Sequence, residues 1–215
     1  MKFIVNSDVY VRDGFKDEGE LEAVVRSNYE AIFGGDVIYI PQQSLWTSAG
    51  FGTVPDAVVI DLEAEQWYIV EVELASHGVW THIAPQIAKQ IVAATNPKAR
   101  KELVKRIIEE IGESPKLKEK FDERGIPELK IYDIVERIVE KDPVIVIPID
   151  AIPADFNEWT QTLKHQVCAV VVEKYVGQEG KPAYRIDSSS LEQPPPPPSE
   201  TTTPLPPISR EEFLK

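Results

Sequence analysis

Apolar residues recur at helical spacing through residues 16–33, where Leu21, Val24, Val25, Ile32 and Phe33 share one side of a 3.6-residue repeat. The pair Gly34-Gly35 ends that segment. A short first strand is expected at 3–5, and a strand at 37–40 stops at Pro41. The pattern then changes period: 53–61 and 66–74 are rich in β-branched and aromatic residues and are split by the polar stretch 62–65, which predicts an antiparallel hairpin. Ile83, Ile87, Ile91 and Val92 return to helical spacing over 81–94, ended at Asn96-Pro97.

Two or three charged helices are expected in an insertion spanning 98–140, at about 98–111, 116–124 and 128–140, separated by Gly- and Pro-containing breaks. Beyond it, 144–149 reads as a buried strand, 155–164 as a short helix, and 167–176 as a strand that pairs with 183–186. Alternation of this kind predicts an α/β fold, a mixed central sheet flanked by helices, over residues 1–187. From Ser188 the chain becomes rich in Ser, Thr and Pro. Residues 188–215 are therefore expected to be a disordered or polyproline tether ending in ISREEFLK, which reads first as a frayed tail and, by its Ser-x-x-Glu spacing, alternatively as a helical turn capped on a partner protein.

Composition narrows the function more than the fold. The formal net charge of −13 over 215 residues argues against a general nucleic-acid sponge, because non-specific phosphate affinity comes from clustered Lys and Arg. The charge is uneven: residues 1–88 carry 14 acidic and 4 basic side chains, residues 89–141 carry 11 and 13. An acidic site beside a more neutral helical region follows. The sequence has neither a secretory hydrophobic segment nor a spanning run, so no membrane association and a cytoplasmic location are expected. Cys168 is the one cysteine and sits in an apolar run, the setting of an inert strand thiol.

The candidate chemistry lies in the segment WYIVEVEL. The pleat puts Glu71 and Glu73 on one face of their strand with Ile69, while Val70, Val72 and Leu74 face the other way. Two adjacent carboxylates in an apolar strand repel, and burial penalises both anions. A divalent cation removes that conflict. Asp56 begins the preceding strand, and hairpin pairing brings it to the same end of the sheet as Glu71. Oxygen ligands of this kind suit Mg²⁺ or Mn²⁺.

Pro55-Asp56, fourteen residues, then Glu71-Val72-Glu73, followed by a helix bearing Gln86 and Gln90, resembles the signature of the PD-(D/E)xK nucleases. The resemblance implies a restriction-endonuclease-like core running from about residue 17 to 149, with the 98–140 helices inserted. It further implies that Asp56, Glu71 and the main-chain carbonyl of Val72 hold the metal. Glu18 would match an additional acidic residue on the first helix, and Gln86 or Gln90 a polar helix position. Glu73 departs from the pattern, standing where lysine is usual. A carboxylate there can ligate a second metal or serve as general base, and the departure puts the lysine's role in doubt.

Two functions follow from these expectations. The first is metal-dependent hydrolysis of a nucleic-acid phosphodiester, DNA by the resemblance; the second is an interaction module that keeps the nuclease fold without turnover and reaches a partner through its Pro-rich tail. A homodimer is compatible with either. Lys98, Arg100, Lys101 and Lys105 form the most basic helical stretch and the candidate contact for a nucleic-acid backbone, although interleaved glutamates also fit an ordinary solvated helix. His77 and His82 follow the acidic strand without a zinc-ligand spacing and read first as polar loop and helix-start residues, with a phosphate or metal contact as the alternative.

Overall fold

The computed structural model of the chain describes residues 2–5, 8–46, 48–50 and 52–191. The chain opens with β1 (Lys2–Val5) and β2 (Asp8–Asp13), which pair as a hairpin. Helices α1 (Glu18–Ser27) and α2 (Tyr29–Phe33) follow, then β3 (Val37–Pro41) and a small separate hairpin of β4 (Leu45–Trp46) and β5 (Gly52–Thr53). Strands β6 (Ala57–Asp61) and β7 (Gln66–Val70) complete an antiparallel meander with β3. Four helices, α3 (Ala84–Ala94), α4 (Pro97–Glu113), α5 (Pro115–Glu123) and α6 (Glu128–Glu140), then carry the chain back to β8 (Val144–Ile149), which lies parallel to β7. The short helix α7 (Phe156–Thr160) links β8 to the parallel strand β9 (Val167–Val176), and β10 (Pro182–Asp187) folds back antiparallel to β9.

The result is the expected α/β architecture: a mixed sheet of eight strands in the order β1-β2-β9-β8-β7-β6-β3, with β10 paired to β9. Helices cover both faces. Val58, Ile60, Trp67, Ile69, Ile145 and Ile147 pack with residues of α3 to α6, including Ile87, Leu103, Ile107, Val135 and Ile138. On the other face Ala57, Val59, Val70, Val72, Val146 and Val170 meet Leu21, Val24 and Val25 of α1 and Ile32 of α2. Burial on both sides explains why β8 reads VIVIPI without alternation. Leu21 is fully buried, and truncating it to alanine removes apolar contact worth about 2–5 kcal/mol, enough to loosen α1 from the sheet.

Several elements differ from expectation for identifiable reasons. The helix expected over 16–33 is two helices. Asn28 breaks it by donating its side-chain amide to the Val24 carbonyl at 2.7 Å and its backbone N–H to Val25 O at 3.1 Å, a local competition that short polar side chains offer the backbone. Strand β2 was not anticipated, because it is largely exposed, and its second partner besides β1, the strand β9, is far away in sequence. The helix expected over 81–94 starts as a π-helical turn, Val79–Ile83, with His82 N and Ile83 N both reaching Gly78 O, and only then becomes α3. The helix expected over 155–164 is regular only through Thr160.

The packed region also runs past 187. Ser190 Oγ donates to Ala169 O at 2.6 Å, Cys168 Sγ donates to Ser190 O at 3.4 Å, and Leu191 packs against the α1 face of the core. The Pro-rich run and the ISREEFLK segment, within 192–215, lie outside the described residues. Cys168 is buried as expected, and burial pushes its thiol pKa up, the condition of an unreactive cysteine. Among the described residues no helix is long and apolar enough to cross a membrane.

Candidate functional site

The end of the β6–β7 hairpin sets the site. Ala57 pairs with Val70 as the last rung of that ladder, so Asp56 and Glu71 sit side by side where β6 runs out. The chain beyond Val70 stays extended because it continues to bond β8, Glu71 N to Val146 O and Glu73 N to Pro148 O, both at 3.0 Å. On the side that β6 has vacated, Asp56 Oδ2 accepts from Val72 N at 2.7 Å. An extended backbone turns the N–H and C=O of one residue to the same side, so the Val72 carbonyl faces the Asp56 side as well.

Alternation puts Glu71 and Glu73 on the face of Trp67 and Ile69, beneath α3, and both are almost fully buried, at 2% and 1% exposure. Gln86 and Gln90, four residues apart on one face of α3, each donate a side-chain amide to Glu71, one to each carboxylate oxygen; the Gln90 contact is 2.5 Å. Gln90 is itself fully buried, and its Oε1 has no hydrogen-bond partner among the described residues. Glu73 turns toward the loop after the strand: His77 Nδ1 lies 3.2 Å from its Oε2 and His82 Nε2 3.6 Å from its Oε1. Glu18, in the first turn of α1, reaches the same His77 Nδ1 at 2.6 Å. Asp17 holds that turn by capping α1, accepting from Glu20 N at 2.9 Å.

All the sequence-derived catalytic candidates, Asp56, Glu71, Glu73, Glu18, Gln86 and Gln90, thus lie in one connected group. The reading of the sequence left His77 and His82 as ordinary polar residues first; the structure joins both to Glu73. It also brings Glu22 of α1 close enough to raise the pKa of Asp56. The group is electrostatically expensive. Burial, and then Asp56, push Glu71 up to about 8; burial, with Glu18 partly offsetting the His77 contact, pushes Glu73 up to about 7; burial, with Glu22 and Glu18 against the Val72 amide, pushes Asp56 up to about 6. Among the described residues no lysine or arginine pairs with Glu18, Asp56, Glu71 or Glu73. A largely buried carboxylate group without a lysine or arginine partner, beside an orphaned amide oxygen, fits a bound cation by the chemistry of its donors. Glu18, Glu73, His77 and His82 in particular bring four potential ligand atoms within 4.8 Å of one another, an arrangement that could hold a metal ion.

The basic helix α4 is placed differently from what a phosphate contact needs. Arg100 donates Nε to Ala94 O at 2.6 Å and its two terminal nitrogens to Glu140 O and Asp142 Oδ1, tying the helices together near the start of β8. Glu71 and Glu73 bond the later residues of that strand, so Arg100 works at the opposite end of the sheet. Lys98, Lys101 and Lys105 are exposed on α4. Nearer the carboxylates is a cleft of about 280 Å³ whose lining includes Arg12, Asp150 and Lys174. Asp150 Oδ1 there accepts from Ala75 N at 2.8 Å, just past Glu73, while Arg12 and Lys174 are paired with Glu173 and with Glu20 and Asp13.

No protein-family model matches this chain, and neither a curated protein nor a solved structure matches it.

Proposed function

We propose that this chain is a divalent-metal-dependent hydrolase of nucleic-acid phosphodiesters, acting on DNA. The observation that carries the reading is the pair Asp56 and Glu71, set side by side where β6 and β7 part, Glu71 buried and Asp56 half-buried, and without a basic partner among the described residues. The order of elements supports it: α1, the antiparallel meander β3-β6-β7, a helical crossover and β8 parallel to β7 is the arrangement that the PD-(D/E)xK resemblance implies. Asp56, Glu71 and the Val72 carbonyl would hold Mg²⁺ or Mn²⁺, and the unpartnered Gln90 Oε1 is consistent with a cation nearby. Such an ion, when bound, acidifies water and offsets the charge that builds on a phosphate under attack.

The protein's own groups would do the rest. The Val72 amide fixes Asp56, and Gln86 and Gln90 fix both oxygens of Glu71, so neither carboxylate must reorganise when a phosphate arrives. Glu73 is placed either to take the proton released by the attacking water or to ligate a further ion, and His77 holds that carboxylate in place. The glutamate in place of the usual lysine and the internal role of Arg100 favour one rival, a nuclease-fold interaction module without turnover. Incubation with single-stranded and duplex DNA in Mn²⁺, Mg²⁺ or EDTA separates the two. The hydrolase reading expects cleavage that needs metal and disappears in an Asp56→Ala, Glu71→Ala double variant that still folds; no cleavage in any condition supports the interaction module.

A further inference from the structure

Four side chains beside Asp56 and Glu71 make a donor set of a different kind. Glu18 comes from α1, Glu73 from the end of the β7 segment, His77 from the loop after it and His82 from the π-helical turn before α3. The turn matters to the placement: Gly78 adopts φ 73°, and the wide turn closed on its carbonyl carries His82 back over Glu73 instead of out along the helix. One imidazole nitrogen then faces each oxygen of the buried Glu73 carboxylate, and the two rings stand 4.9 Å apart, edge to face.

We propose that Glu18, Glu73, His77 and His82 form a second cation position that takes a transition-metal dication of the Zn²⁺ and Co²⁺ type and discriminates against Mg²⁺. Three observations support this. First, spacing: metal–ligand bonds of about 2.1 Å put neighbouring ligand atoms about 3.0–3.4 Å apart in octahedral or tetrahedral geometry; His77 Nδ1 lies 2.6 Å from Glu18 and 3.2 Å from one Glu73 oxygen, His82 Nε2 lies 3.6 Å from the other, and one ligand atom from each of the four residues falls within 4.8 Å of the rest, close enough for small side-chain rotations to reach ligand spacing. Second, charge: Glu73 is 1% exposed, and no lysine or arginine among the described residues pairs with it. One dication balances the charge of the Glu18 and Glu73 carboxylates, and a nitrogen of each ring lies beside a Glu73 oxygen to share it. Third, Gln90 Oε1, fully buried on the amide that grips Glu71 two residues from Glu73, has no donor among the described residues, so the buried group that Glu73 belongs to keeps a free acceptor.

The ligand types set the selectivity. Imidazole is a borderline donor that suits Zn²⁺, Co²⁺ and their neighbours, while Mg²⁺ favours oxygen and parts reluctantly with its water. Asp56, Glu71 and the Val72 carbonyl supply only oxygen, so the two positions sort metals by donor type. This second position does not depend on phosphodiester turnover and stands or falls on binding alone.

Co²⁺ is the probe, because its visible absorption reports the ligands directly. The metal-stripped full chain is titrated with Co²⁺ and then with Zn²⁺ or Mg²⁺, alongside His82→Ala, His77→Gln and Asp56→Asn. The proposal expects visible bands saturating with a Co²⁺ equivalent, displaced by stoichiometric Zn²⁺ but not by about a thousandfold more Mg²⁺. His82→Ala and His77→Gln each shift the bands and weaken Co²⁺ binding about tenfold or more, while Asp56→Asn leaves the bands in place. His82 is about half exposed, and melting of the metal-free variant checks that its fold is intact. Bands that both histidine variants retain unchanged, bands lost in Asp56→Asn alone, displacement by Mg²⁺ as readily as by Zn²⁺, or no Co²⁺ binding would each overturn it. Failure of the hydrolase reading shows instead as absent DNA cleavage with these bands intact.

Discussion

Replacing Glu71 with glutamine should make the metal-free protein less sensitive to alkali. In the unfolded chain Glu71 titrates at its ordinary value near 4.5, and in the folded protein burial and Asp56 raise it to about 8. Below pH 4.5 both states hold the proton and the residue costs nothing. Between the two values the unfolded chain gives the proton up while the folded one keeps it, so stability falls as pH rises, by about 1.4 kcal/mol per pH unit, and levels off above about 8. By pH 7 the loss from this one group is about 3 kcal/mol, which in a chain of this size lowers the melting temperature by about 6–12 °C. Asp56 and Glu73, raised to about 6 and about 7, act in the same direction. Glu71→Gln keeps the size of the side chain and removes its titration, and the free Gln90 Oε1 can turn to accept from the new amide. Melts in EDTA from pH 5 to pH 8 should therefore show a steep fall for the wild type and a shallower one for the variant. A wild-type stability that is flat or rises over this range, or equal slopes in the two proteins, would refute the reasoning.

Arg100→Ala should lower stability by about 1.5–3 kcal/mol, because Ala94 O and Glu140 O lose a charged donor, while Mn²⁺ affinity and cleavage stay unchanged; melting and metal titration of the same preparation check both halves. Gln86→Ala frees one oxygen of Glu71 on the half-exposed side of the site. It should change stability by about 1 kcal/mol or less and lower kcat about tenfold or more with KM nearly constant, as measured by steady-state cleavage.

The hairpin expected from 53–61 and 66–74 was legible in its paired part, 57–61 against 66–70, because its two apolar runs are joined by a four-residue polar stretch, which fixes the register and with it the neighbours Asp56 and Glu71; residues 52–53 instead pair with β4, and beyond Val70 the backbone ladder continues only with β8. Helices α4 to α6 and the β9–β10 hairpin were legible for the same kind of reason, strong periodicity between clear breaks. What was hidden depends on distance or on a single dihedral angle. The proximity of His77 and His82 to Glu73 rests on Gly78 at positive φ and on a π-helical turn, neither of which leaves a spacing rule. Glu18 was reachable only through the family resemblance, since it meets His77 by tertiary packing of α1. Arg100 looked like a free cation because the sequence does not show the carbonyls of Ala94 and Glu140 converging on it. Ser188–Leu191 looked like the start of a tether because serine hydroxyls binding β9 are indistinguishable, in sequence, from solvated ones.

The most direct test of the central claim is the anomalous scattering of Mn²⁺ in crystals soaked with the ion. The account predicts a peak about 2.2 Å from carboxylate oxygens of both Asp56 and Glu71 and from the Val72 carbonyl, lost in Asp56→Ala. Peaks confined to surface carboxylates, or a peak that persists unchanged in that variant, would contradict it.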